Sequence, residues 1–125
     1  MARVTVEDTD IVVHLAWWEK LAARRGDIRV PVEALRRVRL EPDWWRALRG
    51  LKGRGLWIPD RIAVGTRILP DGEDFAAIRV GNRPVLCLEL RPTAAPFARL
   101  ALHTPDPAGA LRELSPYAFD PGPSA

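Results

Sequence analysis

The second half of the chain most limits the possible folds, because short apolar segments and turn sequences alternate there at regular spacing. The segments are rich in β-branched and apolar residues, and the sequences between them contain the Pro, Asp, Asn and Gly residues that favour turns. This spacing is typical of an antiparallel meander. The four predicted strands cover 61–69, 75–80, 85–90 and 97–103.

The first half predicts further extended segments. Residues 4–6 and 11–15 are apolar, and the sequence Glu7-Asp8-Thr9-Asp10 between them has the composition of a turn, so a β-hairpin is expected. Residues 27–32 and 35–41 alternate between apolar and polar positions over part of their length, which indicates two more extended segments.

Two short helices and a loop complete the first half. A helix over 16–25 is expected to end at Gly26, and a second over 44–49 is expected to begin at Asp43. Residues 50–60 contain three glycines and predict an irregular loop.

The C-terminal region predicts one helix and a tail. Asp106 followed by Pro107 is typical of an N-cap and a first helical position, so a helix over 107–114 is expected, anchored by Leu111 and Leu114. The segment 116–125 is rich in proline and glycine and predicts a loose tail, which Tyr117 and Phe119 can pin to the body. Together these elements predict a mainly β (α+β) domain over 1–115. It is an antiparallel barrel, or a strongly bent sheet, of about seven strands capped by the C-terminal helix.

Cysteine and histidine usage excludes several classes of site. Cys87 is the only cysteine and lies in an apolar run, so a buried thiol is expected, without a disulfide or a cysteine-based zinc site. His14 and His103 are the only histidines, both in predicted strands, and no Gly-x-Ser-x-Gly sequence is present. The acidic turn around Asp71 lacks the spacing of a calcium loop. The sequence therefore predicts no enzyme, no metal and no cofactor.

Location follows from what the sequence lacks. The N-terminal residues reach charged side chains at once and do not resemble a signal peptide. No stretch approaches the roughly 20 apolar residues that span a bilayer. The expectation is a cytoplasmic protein without a transmembrane segment.

The segment 36–54 concentrates positive charge. It contains seven basic residues and two acidic ones, whereas the whole chain has a net charge of only +3. Local charge of this kind indicates a docking patch. In one interpretation the glycine-rich part at 50–55 is an anion cradle, although Lys52 is not followed by the Ser or Thr that a Walker loop requires. In the other interpretation its glycines have a conformational role. The seven basic residues are Arg36, Arg37, Arg39, Arg46, Arg49, Lys52 and Arg54.

Five tryptophans are the other distinctive feature. In one interpretation Trp18, Trp45 and Trp57 fill the core and pack the short helices. In the other, Trp17 or Trp44 stays exposed beside arginines and forms a docking hot spot. The candidate partner-binding residues are Trp17, Trp44, Trp45, Arg46, Arg49, Lys52, Arg54 and Trp57.

Several segments resemble a known family. The chain is similar to small uncharacterised actinobacterial proteins with a bacterial pleckstrin-homology (PH)-like domain. The matching segments are spread from residue 26 to residue 107 and so span most of the chain, and the resemblance implies a fold but almost no activity. In lipid-binding members the first hairpin loop is basic, whereas here it is the acidic 7–10 turn, which repels a phosphorylated head group. The matching segments are 26–31, 45–50, 62–66, 74–75, 83–85 and 106–107.

Two functional hypotheses follow. The first is a non-enzymatic binding or assembly module for a protein or peptide partner, or for a further copy of the chain in a homo-oligomer. The alternative is polyanion binding, to an anionic membrane surface or to nucleic acid, through the basic tryptophan-containing segment 36–57.

Overall fold

The computed structural model describes residues 1–91 and 95–119, which form a mainly β fold of two sheets and a C-terminal helix. Short 3-10 turns cover Val32–Ala34, Trp44–Ala47 and Ser115–Tyr117. The helices are α1 (Trp17–Ala23) and α2 (Pro107–Leu114). The strands are β1 (Arg3–Glu7), β2 (Asp10–His14), β3 (Ile28–Pro31), β4 (Leu35–Glu41), β5 (Leu51–Ile58), β6 (Ile62–Leu69), β7 (Gly72–Arg79), β8 (Val85–Leu90) and β9 (Arg99–Leu102).

The smaller sheet contains β1, β2 and β3 in that order, and both pairings are antiparallel. The predicted hairpin is confirmed: β1 and β2 are joined by Asp8 and Thr9, and Asp8 has a φ of 56°. Aspartate tolerates this left-handed conformation better than most residues, which suits it to a tight turn.

The larger sheet has six strands in the order β4-β8-β9-β7-β6-β5. The strand β9 lies between β8 and β7, antiparallel to β8 and parallel to β7. The sequence predicts a mainly β antiparallel barrel, or a strongly bent sheet, of about seven strands with a C-terminal helix. The mainly β class and the C-terminal helix are confirmed, whereas the closed barrel and the strand number are wrong, since the described part of the chain has nine strands in two open sheets. The strand β9 also breaks the antiparallel meander, because it inserts between β8 and β7.

The strand β5 replaces the irregular loop that the glycines predicted over 50–60. It pairs with β6, with a bulge between Lys52 and Gly55. Gly55 lies opposite Gly65, and a Cβ atom on Gly65 would lie 2.6 Å from the Cα of Gly55. The glycines thus allow two backbones to approach closely within a sheet, a role of strand glycines that sequence alone does not distinguish from a loop.

The short helices also differ from expectation. The helix α1 ends at Arg24, which has a φ of 55°, and not at Gly26; the Arg25 N–H donates to the Lys20 carbonyl at 3.1 Å. A 3-10 turn replaces the helix expected over 44–49, and the Asp43 side chain does not cap it. Arg24 adopts the left-handed conformation that glycine usually supplies at this position.

The start of α2 is as predicted. Asp106 is the N-cap, and its carboxylate accepts a hydrogen bond from the Gly109 N–H at 3.0 Å. Beyond the helix, the Phe119 N–H donates to the Leu35 carbonyl at 3.3 Å, and the Arg91 guanidinium lies 3.9 Å from the centroid of the Phe119 ring. The rest of the predicted loose tail, 120–125, lies outside the described residues.

Asp106→Ala is expected to lower the free energy of unfolding by about 1 kcal/mol, because the N–H of Gly109 loses its acceptor. Urea denaturation measures the difference. The control is Asp71→Ala, which removes an exposed carboxylate from the β6–β7 turn and should change stability by less than about 0.5 kcal/mol. Equal losses in the two variants would contradict the capping role.

The two faces of the larger sheet differ in character. One face packs with the smaller sheet and the two helices into the main core, which contains Phe75, Leu88 and Leu100. The other face carries a smaller apolar cluster around Ile78 and Cys87, covered by the segment with Trp44. This second face holds the candidate site.

A row of charges crosses the second face. It contains one residue from each of the six strands, and each residue is the cross-strand partner of the next. We call these six residues the charged row. Acidic and basic residues alternate along it except at the last step. From β4 to β5 the charged row is Arg37, Glu89, Arg99, Asp74, Arg67 and Lys52.

Candidate functional site

A groove lies at the β5 end of the second face, where the 44–48 segment covers β5 and β6. Its volume is about 370 Å³. Three of the five tryptophans line it, together with two cations, the acidic residue Asp60 and apolar residues at the ends of β5 and β6. We call it the tryptophan groove. Its principal lining residues are Trp44, Trp45, Lys52, Trp57, Ile62 and Arg67.

The tryptophans present different amounts of surface. Trp44 packs against the smaller apolar cluster, and Trp45 meets it edge to face, with ring centroids 5.9 Å apart and an interplanar angle of 89°. Trp45 is 56% exposed. Trp45, which one interpretation placed in the core, is therefore the outward-facing member of this pair, and Trp44 is half-buried.

Trp57 forms the floor of the tryptophan groove. It is half-buried against the smaller apolar cluster, and its Nε1–H donates to the Gly53 carbonyl at 3.1 Å. The Arg67 guanidinium lies 5.1 Å from the centroid of its ring, within the range of a cation–π contact. The indole orientation is thus set by contacts on two sides.

Arg67 is held by the backbone of the segment that covers the groove. Its Nε donates to the Arg49 carbonyl at 3.1 Å and its Nη2 donates to the Gly50 carbonyl at 3.0 Å. Burial lowers the pKa of the Arg67 guanidinium from its ordinary value, which still leaves arginine charged at neutral pH. The contacts fix a partly desolvated cation at the edge of the tryptophan groove.

Lys52 and Arg67 are direct cross-strand partners. Like charges in this position repel each other. Neither side chain makes an ion pair with a carboxylate in the described part of the chain. Asp74, the next member of the charged row, is bound by Arg49. The groove therefore combines exposed aromatic surface with two adjacent cations, neither of which forms an ion pair with a carboxylate of the described residues, and with Asp60 as its acidic lining residue.

Arg49 and Arg46, two of the sequence candidates, are engaged elsewhere. Arg49 forms a two-bond ion pair with Asp74, at 2.6 Å from Nε and 3.0 Å from Nη2. The Asp74 carboxylate raises the pKa of the Arg49 guanidinium. Arg46 lies 3.4 Å from Asp43. Neither residue is among those that line the tryptophan groove.

The remaining candidates lie apart from the groove. Arg54 lies within the bulge in β5 and lines a different groove, and Trp17 projects from α1 with 74% of its surface exposed. The structure thus brings together Trp44, Trp45, Lys52 and Trp57. Arg67 was missed, because it lies outside the basic segment and only the β5–β6 register reveals its position beside Lys52.

The three residues that the sequence offers for acid–base or nucleophilic chemistry, His14, His103 and Cys87, have structural surroundings. His14 lies on β2, with its Nε2 at 2.9 Å from a carboxylate oxygen of Glu7. His103 is buried, its Nδ1 accepts from the Arg79 N–H at 3.0 Å, and its Nε2 donates to the Arg83 carbonyl at 2.9 Å. Burial lowers the pKa of His103 and raises the pKa of the buried Cys87 thiol, so both stay uncharged near neutral pH. Both side chains therefore act as core groups here.

No helix within residues 1–91 and 95–119 is long and apolar enough to cross a bilayer. No group of three or more histidine, cysteine, aspartate or glutamate side chains in the same residues is placed to hold a metal ion. Comparison of the chain with models of protein families, with curated proteins and with solved structures finds no match.

Proposed function

We propose that this protein is a non-enzymatic binding module that holds a protein segment in the tryptophan groove. The segment presents a carboxylate next to a large apolar side chain. The observation that carries this proposal is the position of the cations Lys52 and Arg67 beside three tryptophans, where neither cation forms an ion pair with a carboxylate of the described residues.

The apolar part of the interaction rests on Trp45. Its exposed ring is supported from behind by Trp44, so little conformational entropy is lost when a partner covers it. Supported tryptophans at the centre of a contact are typical hot spots. An apolar partner side chain fits between Trp45 and Trp57.

The charged part rests on Lys52 and Arg67. Arg67 uses Nε and Nη2 for backbone carbonyls, which leaves Nη1 for a ligand. A carboxylate placed there relieves the repulsion between the two cations and gains charge-assisted hydrogen bonds. Because the guanidinium is already fixed, its ordering cost is small.

The distribution of ion pairs favours an acidic segment of a protein over a polyanion. In the basic segment 36–54, Arg39 pairs with Glu41 and Glu89, both at 3.3 Å, and Arg46 and Arg49 pair with aspartates. These pairs interrupt the continuous positive surface that nucleic acid or an anionic membrane requires. The partner can also be a second copy of the chain, in which case binding depends on protein concentration.

The relationship to PH-like domains is likewise a proposal. The C-terminal helix and the antiparallel hairpins support it, whereas the parallel β7–β9 pair departs from the all-antiparallel barrel expected. Cytoplasmic location is a prediction from the sequence.

Trp45→Ala is expected to weaken binding of an acidic, apolar peptide by about tenfold, the effect of removing one hot-spot side chain. The probe is a blocked peptide of alternating Glu and Leu, which lacks tryptophan, so the emission of the protein reports binding. Lys52→Ala is expected to weaken binding by a similar factor. A peptide with Gln in place of Glu should bind far less tightly.

Two controls separate the groove from the rest of the surface. Trp17→Ala removes the most exposed tryptophan, and Arg112→Ala removes one charge from α2; each should leave the affinity within about twofold of the unmodified protein. Equal loss in Trp17→Ala would place the site on α1 instead. Competition by a short oligonucleotide, with a steep salt dependence, would favour the polyanion alternative.

A further inference from the structure

A second groove contains three arginines. It lies between the C-terminal end of α1 and strands β5 and β6, and its volume is about 330 Å³. Successive residues of a strand face opposite sides, so Thr66 and Ile68 face this groove whereas Arg67 faces the tryptophan groove. We call it the arginine groove. Its principal polar lining residues are Arg24, Arg25, Arg54, Thr66 and Glu73.

Arg25 is the most constrained of the three. Its guanidinium carbon lies 5.0 Å from the centroid of Phe97 and 5.9 Å from that of Phe75, two buried rings of the main core. Its Nε is buried and has no hydrogen-bond partner in the described residues. Leaving a desolvated donor of a cation unpaired is costly, so an acceptor that reached this atom would stabilise the Arg25 side chain.

Arg24 and Arg54 add charge to the same groove. Both are exposed, and neither forms an ion pair with a carboxylate in the described ranges. Glu73 is the one acidic residue among those that line the groove, so cations outnumber it three to one. A helix C-terminus attracts cations and can account for Arg24 and Arg25. It does not account for Arg54, which comes from β5, nor for the unpaired Nε of Arg25.

We propose that the arginine groove binds a phosphate monoester group. Such a group carries close to two negative charges and three terminal oxygens, enough to accept from guanidinium groups on two sides. Planar guanidinium groups pair with phosphate through two parallel hydrogen bonds. The Thr66 hydroxyl is a further donor on the β6 side. The Arg25 side chain is already oriented by the two phenylalanine rings.

The site is independent of the proposed peptide binding, since the two grooves lie on opposite faces of the larger sheet. The phosphate group can belong to a soluble molecule or to a lipid head group. Both present the same chemistry to the arginines, and they differ in whether the rest of the ligand is dissolved or embedded in a bilayer.

The test is a titration of inorganic phosphate followed by ³¹P NMR at constant ionic strength. Saturable binding is expected, and Arg54→Ala should weaken it by about tenfold because one charge-assisted contact is lost. Glu73→Gln should tighten it by about threefold, because the opposing charge is removed without a change of shape. Because a loss of folding would weaken binding, tighter binding by Glu73→Gln cannot be explained by a folding defect. Arg25→Leu should abolish saturation, with its folding checked by circular dichroism.

The control is Arg112→Ala, which removes an equal charge from the exposed face of α2 and should change the affinity by less than about twofold. A second arm measures sedimentation with vesicles that contain phosphatidic acid and with vesicles of equal charge that contain phosphatidylserine. If the protein binds the phosphatidic acid vesicles and not the phosphatidylserine vesicles, the phosphate group belongs to a lipid. The proposal is overturned if neither arm shows binding, or if Arg54→Ala and Arg112→Ala weaken binding equally.

Discussion

Arg49→Ala is expected to lower the free energy of unfolding by about 3 kcal/mol, because it leaves the Asp74 carboxylate buried without its partner. Asp74 is 2% exposed, and both of its oxygens accept from Arg49. Burial of an uncompensated charge is among the few mechanisms by which one substitution causes so large a loss. Urea denaturation of each variant measures the effect.

Two comparisons isolate the cause. Arg46→Ala breaks the ion pair of Arg46 with Asp43, whose side chains are 68% and 38% exposed, and it should cost less than about 1 kcal/mol. The double variant Arg49→Ala with Asp74→Ala removes the buried charge as well, so it should be more stable than Arg49→Ala alone. A double variant that is less stable than the single one would show that the loss comes from packing.

Gly65→Ala is expected to lower the free energy of unfolding by at least about 3 kcal/mol, because two penalties combine. Gly65 has a φ of 146°, a conformation that residues with a Cβ atom rarely adopt. Its added Cβ would also meet the backbone of Gly55 and the carbonyl of Arg54 on β5. Relief of this contact requires β5 to move away from β6.

The matched control for this variant is Gly26→Ala. An added Cβ at Gly26 meets no atom within 4 Å, so its effect should stay below about 1 kcal/mol. Hydrogen exchange offers a second measurement, since Gly65→Ala should reduce the protection of β5 amides more than that of β2 amides. Equal protection of both strands would contradict the close packing of the two glycines.

Features set by neighbouring residues could be predicted from the sequence. The β1–β2 hairpin follows from an acidic turn between two apolar runs, and the start of α2 follows from Asp106 before Pro107. In both cases the residues that form the element also supply its turn or cap. The end of α1 at Arg24 was not predicted, since a non-glycine residue occupies the left-handed position there.

Features set by distant residues could not be predicted. Strand β5 is formed by pairing with β6, where Gly55 lies opposite Gly65, whereas the local sequence of β5 resembles a loop. The parallel pairing of β7 with β9 likewise depends on where β9 inserts. The site shows the same division. Trp44, Trp45 and Lys52 could be recognised as candidates from the sequence, whereas Arg67 could be recognised only from the β5–β6 register. The engagement of Arg49 by Asp74 required the tertiary structure.

The charged row has a consequence for how the strands find their partners. Side chains alternate with a period of two, so a slip of two residues keeps apolar side chains on the apolar face and is only weakly penalised by hydrophobic burial. Such a slip between β7 and β9 would place Asp74 opposite Ala101 instead of Arg99. Acidic and basic residues of the charged row would then lose their oppositely charged cross-strand partners wherever two strands are misaligned. The charged row thus favours the native strand alignment over alignments that the apolar pattern alone would tolerate. This includes the alignment of β7 with β9, two strands that are distant in the chain.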